Sequence, residues 1–576
     1  MKIRFLNKIE WTADRRNIVF LILVGVLIRF WGITYGLPSV YNSTEYFIAK
    51  NALSLGARHT LEPLNFIYPT FYSYLIAAVY GIYFIFGKIV GWFPGSADFA
   101  LQFFSDPSSF YLLGRSLSAI AIIISLVVFY RNVRFLLAPG LSLLLTLLLL
   151  SSFNIHNFTF WMVPDAFLIL GSAVVLYYMT KACYHPLSRI EILLASLVCG
   201  FTISTKYNAG FLAFGWLLSL LIFAEQKGEG RKFRIATAAL FVGIGFIIGS
   251  PYWILSFSKF AEGFRTIWSQ SVYGYNFQTG LPYLWEIKTL ITSEWLLGLL
   301  FIVLLASLLL RPGRFALPIA MIVLPTFLIV GSWEKKGLDY MLIIFPALLV
   351  LSAYWISRIS MHLKNPKILY ALLLPVLLIN VPRIVYTDFL HTRTDTRELA
   401  GRWIMEHLPP NSAIVYDHYH YDINLIDVNR FMEYGAGSRY LSPAVRKKLK
   451  SLQDAPYNYN FISVQKSLNE NDLPDTLKSV LDGDPFIREN LTHPHKSLQE
   501  LINDGARILI LNSDTYLKFL NNPAPALNNP LREDFLSRQR FYREIFRTQK
   551  PAKVFFPAWN RPGPIIQLFE LKEDNS

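Results

Sequence analysis

Between residues 17 and 385 the sequence is a succession of Leu-, Ile-, Val- and Phe-rich runs broken only by short basic segments. A helix needs roughly 20 apolar residues to cross about 30 Å of hydrocarbon, and a chain with many such runs has only a bilayer in which to bury them. Candidate spans fall near 17–33, 69–92, 110–130, 135–153, 166–180, 188–204, 207–224, 233–250, 294–310, 315–331, 338–357 and 367–385. From 386 onward the pattern is that of an ordinary soluble domain. Only 16% of residues are charged, against about 25% in an average soluble domain. The expected fold class is therefore mainly α and polytopic, with a tail (1–16), a transmembrane helical domain (17–385) and a small α/β domain (386–576).

The net charge of +15 does not argue for nucleic acid, because Lys and Arg gather in the short loops where cytoplasmic positive charge sets topology. Residues 1–16 are too long and polar for the first part of a signal peptide, so 17–33 reads as a retained first span. If all the candidates cross, the RNVR loop at 131–134 and later basic loops fall outside. If 69–92 instead lies along the outer surface, they fall inside. That arithmetic favours about eleven spans, with a true span at 69–92 as the competing reading. The outer face then holds 34–109, 154–165, 251–293, 332–337, the Ser204–Lys206 turn and the C-terminal domain. Long loops carry function, so the chemistry is expected on the extracytoplasmic face of a multi-pass cell-membrane protein.

Ionisable residues near membrane depth are costly and tend to mark function. Glu45 follows Asn42-Ser43-Thr44, a run suited to capping a helix, and is the candidate catalytic base; it would also complement a helix dipole without any chemistry. Asp165 follows Pro164 and is either a second catalytic acid or a plain N-cap. Lys206, with Tyr207 beside it, sits in a tight turn and suits a lipid phosphate; snorkelling is the alternative for Lys206 and for Arg115. Lys335 and Lys336 put positive charge at the outer mouth, and His59 completes the candidate substrate-binding set. The aromatic loop 251–293 suggests an amphipathic helix around 257–271, with Asn276 and Gln278 suited to sugar or interface contacts.

The segments LPSVYNSTEYFIAKNAL, NFIYPTFYSYL, FYLLGRSLSA, FTFWMVPDAFLIL, GFTISTKYNAGFL, IGSPYWILSFSKF, LDYMLIIFPALLVL and DTRELAGRWIMEHLPPNSAIV resemble, in this order, the GT-C superfamily. Within it they resemble the family of protein O-mannosyltransferases and aminoarabinose transferases. The resemblance implies inverting transfer of a sugar from a polyprenyl-phosphate donor to an extracytoplasmic protein, lipid or polysaccharide acceptor, without a metal or other cofactor. It matches Asp165 to the family's second acidic position and Lys206-Tyr207 to its Lys-Tyr turn. The chain departs from the family where the first loop's Asp, taken there as the base, is Thr44. It departs again where a late Arg-Tyr reads Asp339-Tyr340, and where a His-containing stretch is replaced around Phe160. Either Glu45 has taken the base's role, or donor and acceptor differ, or transfer is lost and the chain binds a lipid-linked sugar as a scaffold. A transporter would more often show paired broken helices and internal repeats, and none is visible.

In the C-terminal part, Leu399, Trp403, Ile404 and Leu408 recur at helical spacing, ended by Pro409-Pro410. AIVYD (413–417), ARILILNS (506–513), AKVFFP and PIIQLFEL read as strands, and RQRFYREIF as a helix. Two cysteines, Cys183 and Cys199, are not placed for a disulfide or a metal. His418, His420 and Asp422 suggest a metal less than a polar strand end, and Asp482-Gly483-Asp484 reads as a turn.

Overall fold

The computed structural model describes residues 8–223, 230–274, 281–310, 313–418, 422–433, 441–466 and 495–571, with Arg488 besides. Asn276, Gln278, His420 and the Asp482-Gly483-Asp484 turn lie outside the described residues.

The chain is mainly helical. The first part runs α1 (Lys8–Phe30), α2 (Ser43–Arg58), α3 (Phe71–Ile89), α4 (Ser96–Ser105), α5 (Ser108–Val133), α6 (Pro139–Leu150), α7 (Phe153–Thr159), α8 (Asp165–Tyr184) and α9 (Arg189–Ile203). Then follow α10 (Gly210–Phe223), α11 (Arg231–Gly249), α12 (Tyr252–Leu255), α13 (Phe257–Tyr273), α14 (Leu284–Glu294), α15 (Leu296–Leu310), α16 (Ala316–Gly331), α17 (Ile344–Ser360) and α18 (Lys367–His391). Among the described residues, five stretches are long and apolar enough to cross a membrane: Phe71–Ile89, Ser108–Val133, Asp165–Tyr184, Arg231–Gly249 and Lys367–His407. The pair α6 and α7, bent by 54°, makes a sixth when taken as one broken span. Several expected spans appear instead as shorter apolar helices, among them α15, α16 and α17. The segment expected to lie along the surface, 69–92, contains one of the five, α3, with Ile82, Ile85, Phe86 and Ile89 exposed toward its end. The amphipathic helix read at 257–271 is α13.

Local chemistry explains where these helices start. The Asn42 side chain accepts the Thr44 N–H and begins α2, whose buried face is Glu45, Ile48, Ala49, Ala52 and Leu55 at helical spacing. Ser188 and Glu191 form a reciprocal cap on α9. Ser152 caps α7 after the bend. The α7 N-terminus is further satisfied by the buried Glu294 carboxylate, which accepts from the Ser152 hydroxyl and the N–H groups of Phe153 and Asn154.

Helix α18 continues to His391, six residues past the domain boundary expected at 385, and Asp395 then caps α19 (Thr396–His407). The rest of the α/β unit comprises β1 (Ala413–Tyr416), α20 (Val428–Glu433), α21 (Pro443–Lys450), β2 (Asn460–Ile462), α22 (Leu498–Asn503), β3 (Ile508–Asn512), α23 (Ser513–Leu520), α24 (Arg532–Thr548), β4 (Lys553–Phe555) and β5 (Ile566–Glu570). The sheet order is β2-β1-β3-β5-β4, with β1 parallel to β2 and β3, and β5 antiparallel to β3 and β4. Alternate side chains supply two cores, as the strand period demands. Val415, Leu509, Leu511 and Phe569 pack on one face; Ile414, Tyr416, Ile508, Ile510, Ile566 and Leu568 pack on the other.

Candidate functional site

The start of α2, the α7–α8 junction, the α9–α10 turn and the segment before α17 converge. At the centre Lys206 Nζ donates to Asp165 Oδ1 at 2.8 Å, lies 3.4 Å from Asp339 Oδ2, and donates to the Asp339 carbonyl at 3.1 Å. Its ammonium is also 5.0 Å from the centre of the Tyr340 ring, and the Lys335 ammonium is 5.1 Å from the same ring. Asn208 Nδ2 donates to the Tyr340 carbonyl at 2.7 Å and holds this segment against the turn. Tyr68 sits within the electrostatic reach of Lys206, Asp165 and Asp339.

Burial opposes the charge on Lys206, but Asp165 and Asp339 more than offset it and hold the ammonium above the ordinary lysine value. Burial dominates at Lys335 and pushes it below that value, with Asp339 pulling the other way and Lys206 adding to the depression.

Glu45 is wholly buried rather than at a mouth. Arg115 clamps it bidentately, Nε to Oε1 at 2.8 Å and Nη2 to Oε2 at 2.7 Å, and the Met162 N–H donates to Oε1 at 2.7 Å. Arg115 Nη1 donates to the carbonyls of Ile33 and Tyr35, and its guanidinium lies 4.9 Å from the centre of the Trp161 ring. The pair thus ties the chain after α1, the start of α2, helix α5 and the α7–α8 junction to one point. Arg115 is consumed by this knot and is not available to a substrate.

The other expected binding residues part company. Lys335 belongs to the cluster. Lys336 turns inward, buried 3.2 Å from Glu286 Oε1. Tyr207 donates its hydroxyl to the Phe66 carbonyl and packs edge-on against Phe260 and Phe264, so it fastens α13 to the first loop. His59 is exposed at the far end of α2, capping it in a left-handed conformation. At 1.5 Å per residue that is about 20 Å from Glu45.

Asp339, Tyr68 and Tyr340 were not in the expected set. The signal for Asp339-Tyr340 was present as a departure from the family's Arg-Tyr; Tyr68 carried none. Among the described residues no group of three or more His, Cys, Asp or Glu is placed to hold a metal, and His418 is paired with Asp422.

An open cleft of about 630 Å³ lies between the α/β unit and the first loop. Tyr41, Asn42 and Ser43 line it from one side and Arg397, Ser513 and Lys518 from the other. It ends one residue before Thr44, and amide and hydroxyl groups form much of its wall.

Residues 108–255 match the family profile of dolichyl-phosphate-mannose-protein mannosyltransferases. Over that stretch the chain is similar to that family. The matched stretch contains Arg115, Asp165, Lys206 and Tyr207, and ends before Lys335 and Asp339. No curated protein matches the chain. Solved structures that match the chain include ArnT from Cupriavidus metallidurans in the apo state (12% identity, 96% of this chain and 97% of that chain, TM-score 0.49). The same protein bound to undecaprenyl phosphate is another (13%, 96% and 97%, 0.47). A third is the apo Archaeoglobus fulgidus oligosaccharyltransferase (10%, 90% and 72%, 0.43).

Proposed function

We propose that the chain is a membrane glycosyltransferase that moves a sugar from a polyprenyl-phosphate donor to an extracytoplasmic acceptor, with inversion. The observation that supports this reading is the Asp165–Lys206–Asp339 cluster, two of whose members, Asp165 and Lys206, fall inside the stretch that matches the family.

The acceptor enters through the polar cleft. Its hydroxyl or amine attacks the anomeric carbon, the bond from that carbon to the phosphate oxygen breaks, and the lipid phosphate leaves with the electron pair. In this reading Lys206 and Lys335 stabilise that charge. Asp165 takes the acceptor's proton, a role worth about 10²–10⁴-fold. Glu45, the base expected from the sequence, has its carboxylate held by three donors. In this reading it is a positioning residue that fixes the start of α2 over the cluster.

The test uses purified protein in nanodiscs with a polyprenyl-phosphate sugar and a mixed acceptor extract. Asp165→Asn is expected to cut transfer by at least 10²-fold while donor binding holds within a few-fold. An Asp165→Asn variant with the wild-type rate, or a wild-type protein that does not bind the donor, overturns the reading. A second reading, a non-catalytic binder of lipid-linked sugar, is favoured by Thr44 where the family has Asp. Donor binding without turnover under every acceptor is the outcome that selects it.

A further inference from the structure

The hairpin between β4 and β5 ends in a tight turn. Ala558 and Arg561 exchange both backbone hydrogen bonds, at 2.9 and 3.0 Å, so Trp559 and Asn560 form the tip. The tip carries two large apolar side chains out of the domain: Trp559 is 72% exposed and Phe556 57%. Exposed aromatic side chains that gather beside other apolar surface mark interaction sites.

Its neighbour is the end of a membrane helix. The Tyr386 hydroxyl donates to the Trp559 carbonyl at 2.8 Å, and the Trp559 and Phe389 rings lie nearly parallel, 8° apart, with centroids at 6.4 Å. Leu374, Leu378, Pro382 and Tyr386 recur every fourth residue on α18 and are all exposed, so they form the stripe that this span turns to lipid. Trp559 continues that stripe beyond the helix. Exposed Arg561 stands next to the tip, and Arg393 lies over the Phe389 ring at 4.4 Å. Aromatic rings flanked by arginines at the end of a span make up the composition of the bilayer interface.

The same hairpin grips the linker between α18 and α19. The Thr396 N–H donates to the Pro562 carbonyl at 3.1 Å, and its hydroxyl to the Pro564 carbonyl at 2.6 Å. Gly563 between them has φ +109°, and a Cβ there would come within 2.2 Å of the Thr396 hydroxyl. Beside Thr396, Asp395 accepts from Arg397 at 2.9 and 3.0 Å and from the Tyr35 hydroxyl at 2.5 Å. Arg397 in turn lies 3.5 Å from the centre of the Tyr41 ring, and both residues line the cleft.

We propose that the β4–β5 turn is a lipid anchor. Phe556 and Trp559 seat in the interfacial layer of the bilayer that α18 crosses, and residues 562–564 pass that constraint through Thr396 and Asp395 to Arg397 in the cleft wall. The occupant is membrane phospholipid.

The test needs no sugar transfer, so its outcome is independent of the enzymatic reading. Full-length protein carrying Asn560→Cys is labelled with an environment-sensitive fluorophore in phospholipid nanodiscs, with and without a nitroxide lipid spin-labelled near the headgroup. The unsubstituted chain, whose two cysteines are buried or half-buried, is the blank. Arg402→Cys, on the exposed face of α19, is the control. Nitroxide quenching at 560 is expected to exceed that at 402 at least two-fold; equal quenching overturns the anchor. Trp559→Asp is expected to speed amide exchange across 393–399 several-fold in nanodiscs, and Trp559→Phe to restore it. Unchanged exchange in a folded Trp559→Asp protein overturns the coupling to the cleft wall.

Discussion

Glu45 and Arg115 have side chains with no exposed surface, which fixes what substitution does to them. Removing one partner leaves an uncompensated buried charge and costs about 3–5 kcal/mol, whereas replacing both with apolar side chains is often near neutral. Glu45→Gln and Arg115→Met are therefore each expected to lose stability of that order, read by thermal unfolding in detergent. Glu45→Met/Arg115→Met is expected to recover most of it, and to recover transfer with it. A double variant that is stable but inert would return the base's role to Glu45. At Lys335 the depressed value sets a pH dependence. The charged form is lost below the usual lysine range near 10.4, so affinity for a lipid phosphate is expected to weaken earlier on the alkaline side than Lys206 alone would allow. Lys335→Arg should abolish that early limb in a binding titration. For Lys206 the raised value works in the opposite direction. Its stabilisation is complete below the unfolded value and fades only as pH rises through the folded one, so it adds no slope between pH 6 and 9. The sequence pointed to Glu45, Asp165 and Lys206 because each is a charge among apolar runs. It did not reveal the partner of Glu45, since 70 residues separate it from Arg115 and no local rule spans that distance.

At the scale of elements, a helix start is legible where its cap is local, as at Asn42. Ser188 with Glu191 and Asp395 cap α9 and α19 in the structure. Four strands of the α/β unit were legible from short apolar runs; β2 (Asn460–Ile462), in a polar Asn-rich stretch, was not, nor was the strand order, which long-range pairing sets. The break between α6 and α7 was hidden: 135–153 reads as a continuous run, and Glu294, whose carboxylate stabilises the interruption, lies about 140 residues on. Helices α9 and α11 show how the membrane part is packed. A Cβ on Gly200 would meet the Val242 carbonyl at 2.1 Å, and one on Gly245 would meet the Leu197 carbonyl at 2.5 Å. Both glycines let the backbones touch, as small residues do between membrane helices. Gly200→Leu or Gly245→Leu is expected to cost about 1–3 kcal/mol or more, with the loss read as a lower unfolding temperature and unchanged helix content.

At the scale of the whole molecule, several of the pieces read as outer segments touch one another. The Ser204 carbonyl accepts the Phe71 N–H, Lys206 meets Asp165 and Asp339, and Tyr35 stacks on His391 at 4.5 Å. The α/β unit joins them, packing α20 and α21 onto α4, with Lys448 paired to Asp98. In intact cells a membrane-impermeant thiol reagent is therefore expected to label Arg402→Cys and to spare Arg231→Cys, at the start of α11, until the membrane is opened. The reverse pattern would invert the topology. Span number was the least legible property at this scale, because a run of apolar residues does not say whether its helix crosses, bends or stops short.

The Glu45–Arg115 clamp also has a consequence in time. A ribosome adding about 5–20 residues per second delivers the carboxylate roughly 4–14 s before the guanidinium that closes on it, and Met162 comes later still. A nascent chain arrested ahead of residue 115 would thus expose the first loop to proteolysis as loose peptide, whereas one arrested past 162 and threaded into the bilayer would protect it.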